Sequence, residues 1–117
     1  MSMPYVDGFL IPIPTKNLTA YRRMALKASK IFKEHGALEF RECAADDLTK
    51  SLFPKMAGLR KGETVVFSWV VYKSKAQRNR ANAKIMKDPR LAAMMTGDSP
   101  FDMKRMAMGG FKVLVDA

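Results

Sequence analysis

Few residues in this chain could carry chemistry. There is one histidine, one cysteine and eleven carboxylates in 117 residues. His35 is the only side chain whose ordinary pKa lies near neutrality. Standing directly before Gly36, it fits a packed or helix-capping histidine. It also fits a general acid–base beside a cavity, with Asp7 or Glu39 as the carboxylate that would orient it. Asp7 lies in an apolar segment on the same parity as Tyr5 and Phe9. A carboxylate on a buried face needs a partner, and Arg41 and Arg105 are the candidates. Asp102 and Arg105 stand three apart. They either pair locally or leave the planar Arg105 guanidinium to hold an anionic group. Trp69 and Phe67 would pack an interior or wall a pocket for a flat organic ligand. Cys43 has no histidine nearby in sequence and reads as a small core residue.

The composition narrows the classes. Hydrophobic residues make up 48% and charged residues 27%, which is globular and excludes a disordered tail or a fibre. One domain spanning residues 1–117 is expected at this length. One Cys and one His cannot build an intrachain disulfide or a zinc site, so no metal is expected. There is no Walker motif, dinucleotide fingerprint or nucleophile elbow, and no cofactor is expected. Gly109-Gly110 lacks the wider glycine spacing and following helix of a phosphate loop. The apolar run at 9–13 is too short for a membrane span and contains Pro12. With an unpaired Cys43, a cytoplasmic protein is expected. The net charge of +10 would attract phosphate. The ten Met residues read as core filler among other apolar positions.

The elements that must position these residues follow from periodicity. Residues 5–13 read as a strand between Pro4 and Pro14. Leu18, Tyr21, Ala25, Ala28, Phe32 and His35 recur at steps of three and four, the stripe of a helix that Gly36 stops. Met24 and Ile31 widen it, and Arg23, Lys27, Lys30 and Glu34 fall on the solvated side. Residues 37–43 form a second strand, Leu38 and Phe40 pointing one way and Glu39 and Arg41 the other. A long connection over 44–62 precedes residues 63–73, which are apolar on both faces and read as a strand buried on both sides. Ser74 and Gln77 form a capping box for a helix to about Lys87. Asp88-Pro89 starts a short extra helix through Met95. The last strand spans 107–115, and Gly109-Gly110 suggests a bulge or a close backbone approach.

The order strand, helix, strand, strand, helix, strand is that of an α+β, ferredoxin-like βαββαβ sandwich. Two helices cover one face of a four-stranded sheet, yet the strands at 5–13 and 63–73 are apolar on both. The economical cover for the second face is a second copy, giving a homodimeric α/β barrel.

The segments Tyr5-Val6-Asp7-Gly8-Phe9, His35-Gly36-Ala37-Leu38-Glu39, Phe67-Ser68-Trp69, Asp88-Pro89-Arg90, Pro100-Phe101-Asp102 with Lys104-Arg105-Met106, and Gly109-Gly110-Phe111 are specific when taken together. On them the chain resembles the YbaA-like family of uncharacterised bacterial proteins from Tyr5 to Val115. The middle connection departs from the family by its shortness around 49–53. The resemblance implies a dimeric α+β barrel and no established activity.

The function expected first is therefore a small-molecule binder, and a cofactor-free enzyme in its fullest form, with the ligand in the barrel cavity. Asp7 or His35 would handle protons, Arg105 with Asp102 would hold an anionic group, and Trp69 would form an apolar wall. A second reading is an RNA binder. The run Val65-Val66-Phe67-Ser68-Trp69-Val70-Val71-Tyr72 keeps the aromatic spacing of an RNA-recognition strand but lacks its basic residue and glycine. Asp7 on such a platform would repel phosphate. A third reading is a structural dimer without a ligand.

Overall fold

The computed structural model describes residues 3–95 and 97–117. Strand β1 (Tyr5–Pro14) is followed by a 3-10 turn and helix α1 (Leu18–Glu34). Then come β2 (Glu39–Ala44), a short α2 (Phe53–Ala57) and β3 (Glu63–Tyr72). Helices α3 (Lys75–Met86) and α4 (Pro89–Met94) lead to β4 (Ala107–Lys112). The sheet has four strands in the order β2-β3-β1-β4, with every neighbouring pair antiparallel. This is the α+β ferredoxin-like arrangement the element order predicts.

Local chemistry sets the boundaries. His35 caps α1, and Gly36 turns the chain at φ +119°, where a side chain would be strained. Ser74 accepts a hydrogen bond from the Gln77 backbone N–H at 3.1 Å and starts α3. The Gln77 side chain does not complete a box. Its carbonyl oxygen accepts from Arg80 at 2.9 Å, and its amide nitrogen lies against Gly36. Asp88 caps α4, accepting from the Arg90 N–H at 2.9 Å, and Pro89 opens that helix. In the 45–62 connection, Pro54 opens α2 and Gly58 ends it in the left-handed region.

Alternation divides the sheet into two unlike faces. The helix side carries Tyr5, Asp7, Ile11 and Ile13 from β1 and Val66, Ser68, Val70 and Tyr72 from β3, all buried. Two core clusters lie between sheet and helices. Ile11, Ile13 and Val66 meet Tyr21 and Ala25 of α1, and Val70 and Tyr72 meet Ala81 and Ile85 of α3. Burying each of these larger side chains contributes roughly 1.5–3 kcal/mol. The other face is touched only by the short α2, through Phe53 against Phe67, and is otherwise without a helix among the described residues. There Val65 is buried, Trp69 and Val71 are half-buried, and Phe67 and Phe111 are 46% and 60% exposed. The expectation that β3 is buried on both sides therefore holds for the helix side alone within one chain.

Three further expectations are corrected. Leu38, placed inward with Phe40, precedes β2 and is exposed, while Phe40 packs edge-on against Phe32. Gly109-Gly110 makes no bulge, since pairing with β1 is continuous from Tyr5↔Lys112 to Leu10↔Ala107. The close neighbours are side chains and not another backbone: a Cβ at Gly110 would sit 2.7 Å from Arg78 Nη2 and against the Tyr5 ring. β4 ends at Lys112 rather than 115, leaving Leu114 and Val115 exposed beyond it.

Candidate functional site

The structure scatters the sequence-predicted site residues. Asp7 is 3% exposed on the helix side of β1. Its partner is Arg78 of α3 at 3.6 Å, too long for a hydrogen bond. It is neither Arg41, which lies on the opposite face, nor Arg105. Arg78 also donates to the Tyr5 hydroxyl at 3.1 Å and lies over the Tyr5 ring. Burial pushes the Asp7 carboxyl up, against the pull of Arg78 and a hydrogen bond with Asn82. Burial and the Asp7 charge together push the Tyr72 hydroxyl to about 12.

His35 meets neither Asp7 nor Glu39. Its Nε2 bonds Asp88 Oδ2 at 2.9 Å. Asp88 also binds Arg90, whose guanidinium reaches Glu34 at 2.6 Å. Hydrogen bonds from Arg90 and His35 hold the Asp88 carboxyl well below the usual range. This network ties the end of α1 to the start of α4. The Asp102 carboxylate caps the turn at Met103–Arg105 through the Lys104 N–H at 2.9 Å and is not hydrogen-bonded to the Arg105 guanidinium; the Arg105 backbone N–H donates to the Asp102 carbonyl at 3.0 Å. Arg105 instead grips Glu63 at 2.6 and 2.8 Å and donates to the Gly58 carbonyl at 2.8 Å. Trp69 stands on the sheet face away from α1 and α3, edge-on to Phe67, which in turn meets Phe53 of α2. The sheet therefore separates Trp69 from Asp7.

Cys43 is half-buried rather than core. It borders a hollow of about 230 Å³ under the 45–57 segment, with Leu10, Leu48, Phe53, Val65 and Phe67. A larger open groove of about 650 Å³ runs along the face away from α1 and α3, walled by Val6, Leu10, Phe53, Phe67, Trp69 and Phe111. It is almost wholly apolar and holds no titratable side chain.

The pocket with both an apolar wall and a polar group lies on the other side of the sheet, between α1 and β2. It measures about 370 Å³ and is lined by Leu18, Ala25, Leu26, Phe40 and Val66, with buried Tyr21 and half-buried Glu42 as a polar pair. The Tyr21 hydroxyl is 2.9 Å from each Glu42 carboxylate oxygen, and Ser68 bonds Glu42 from β3. Burial raises the Glu42 carboxyl, partly offset by Tyr21 and Ser68, and burial beside Glu42 drives the Tyr21 hydroxyl far above its ordinary value. Such a pair can accept a hydrogen bond, and the raised carboxyl holds a proton more readily than an exposed one. Glu42 escaped the sequence reading although its signal was present: continuing the alternation of Phe40 inward and Arg41 outward puts Glu42 on the helix side. Tyr21 was placed on the core stripe, but its hydroxyl partner was not visible.

The exposed cations Arg22, Arg23, Lys27 and Lys30 of α1 and Arg80, Lys84 and Lys87 at α3 lie on the helix layer. Phe67 and Trp69 lie across the sheet from them, so the aromatic platform and the basic surface do not share a face. Among the described residues no helix is long and apolar enough to cross a membrane. Among them, too, no three His, Cys, Asp or Glu residues gather as a metal site.

Comparison with known proteins agrees with this architecture. The uncharacterized protein YbaA of Escherichia coli K12 is 46% identical over 118 residues, covering 97% of this chain and 99% of the relative. A dimeric ferredoxin-like protein from an uncultured marine organism superposes with a TM-score of 0.60 at 14% identity, over 97% of this chain and 99% of that one. SnoaB, a cofactor-independent oxygenase from Streptomyces nogalater, superposes with a TM-score of 0.56 at 12% identity, over 98% and 97% of the two chains. These two structures share the fold. The family model of the protein of unknown function DUF1428 matches residues 4–103, and the chain belongs to that family.

Proposed function

We propose that the chain works as a homodimer, sheet against sheet. Each subunit would bind a small, mostly apolar organic molecule in the pocket between α1 and β2. The pocket carries the ligand reading. Its 370 Å³ falls within the roughly 300–1,000 Å³ of ordinary ligand sites. Its walls are mostly apolar, with the hydrogen-bonded Glu42–Tyr21 pair among them and Arg22, Ser29 and Cys43 also on the lining. Glu42 would orient the ligand and exchange a proton with it, with Tyr21 holding the carboxylate in place. In this reading Asp7, His35, Asp102 and Arg105 serve the fold, and Trp69 serves the interface.

The dimer is supported by the exposed apolar face and by the dimeric state of the marine protein of the same fold. Two ten-residue and two six-residue strands make a face of roughly 500 Å² at the usual strand spacings. Exposed Leu52, Phe53 and Met56 beside it extend that face. The total approaches the roughly 800 Å² that each partner gives to a stable interface.

The ligand reading is tested by mapping amide chemical shifts while a library of flat apolar fragments is titrated in. Shifts clustering at Tyr21, Ala25, Glu42 and Val66 are expected. Clustering at Phe67, Trp69 and Phe111 would move the site to the sheet interface, and no saturable shifts would leave a dimer without a ligand.

A further inference from the structure

Every other buried or half-buried carboxylate described above has a cation. Asp7 faces Arg78, Glu63 is gripped by Arg105, and Asp88 binds Arg90 and His35. Glu42 has none: among the described residues no Lys or Arg nitrogen lies within ion-pair distance of it, although the chain holds 21 such residues. Half-buried carboxylates are costly without a counter-charge. Hydrogen bonds do not fill the deficit. An ionised carboxylate offers about four acceptor positions, and Tyr21 and Ser68 each bring one hydrogen. The remaining acceptor capacity belongs to a group that borders the pocket.

We infer that the pocket between α1 and β2 selects an apolar amine, whose ammonium group donates to Glu42 and supplies its missing positive charge. The inference rests on the pocket reading above. The charged and titratable groups facing Glu42 are few. Tyr21 and Arg22 come from α1 and Cys43 from β2, and Ser68 on β3 is neutral. Tyr21 stays protonated and can only donate to the carboxylate. Arg22 is exposed at the mouth, where solvent screens its repulsion of a cation. The hydrocarbon body of the ligand would lie against Leu18, Ala25, Leu26 and Phe40. A carboxylate ligand of the same shape would meet Glu42 as a like charge and be rejected.

Titrations of the full chain with 2-phenylethylamine, 2-phenylethanol and 3-phenylpropionate, followed by amide shifts, test this. The body is the same in all three and only the head group changes. At neutral pH the amine should bind about tenfold more tightly than the alcohol, as a partly desolvated charge pair allows. The propionate should be the weakest. Glu42→Gln should bring amine and alcohol within about twofold of each other. Should that variant fail to fold, the wild-type profile decides. An ammonium favours the ionised form of Glu42. The amine-to-alcohol ratio should therefore rise with pH through the Glu42 titration and fall only as the amine deprotonates near about pH 10. Equal amine and alcohol affinity, or a flat ratio with pH, would overturn the amine inference while leaving the pocket. If none of the three produced saturable shifts at Tyr21 and Glu42, the pocket reading would fall with it.

Discussion

Arg105 joins β3 to the segments on either side of it with one side chain. Its two bonds to Glu63, with a third to that carboxylate from the Arg60 N–H, hold the Glu63 carboxyl down at about 2. A carboxyl depressed in the folded state stabilises the fold above its ordinary pKa of 4.5. That stability is lost as pH falls through 4.5 towards about 2. Arg105→Ala should therefore lower the melting temperature at neutral pH, and the gap to wild type should close as pH drops through that window. A gap that stays constant with pH would place the role of Arg105 elsewhere. Gly110→Ala should destabilise by about 1–3 kcal/mol in urea unfolding, because the new methyl group meets Tyr5 and Arg78. An unchanged midpoint would show that both side chains move aside freely. The sequence exposed Asp7 as a buried acid through strand parity alone. It could not name Arg78, because a partner on a helix far along the chain depends on how that helix lies across the sheet.

Strand and helix periods were legible because each stripe of apolar residues matches one period throughout. Tyr21, Ala25 and Ile31 are buried on α1 as their spacing requires, and Val66, Val70 and Tyr72 on β3 alternate as a strand must. Helix α2 was read as part of a connection, although Pro54 and Gly58 mark its two ends. Five residues are too few to show a helical stripe. The inward turn of Glu42 was legible in principle, but an acid next to an outward Arg41 and the half-buried Cys43 gives no apolar alternation to follow. The face that α1 and α3 leave open yields a prediction at this scale. Phe67→Glu puts a charge at the centre of the proposed sheet-on-sheet contact, on a side chain already half open to water within one chain. It should leave the far-UV circular dichroism of the subunit intact and abolish association. Loss of secondary structure would instead mean that Phe67 is needed by the subunit itself.

The whole molecule assigns different work to its two sheet faces in this account. The long helices, the core and the amine pocket occupy one face, and the exposed cations Arg22, Arg23, Lys27, Lys30, Arg80 and Lys84 lie on the outer side of α1 and α3. The other face offers aromatic and aliphatic side chains with little polar relief and is left for a second copy. The sequence carried this division from the start, in strands apolar on both sides served by helices enough for one. It did not carry the depth of the pocket, which depends on the gap between α1 and the β2 edge. Sedimentation velocity of the full chain at micromolar concentration tests the division most directly. A species of twice the 13.2 kDa chain mass that reverts to one chain in Phe67→Glu is predicted. A wild-type chain that sediments at 13.2 kDa across the micromolar range would contradict it.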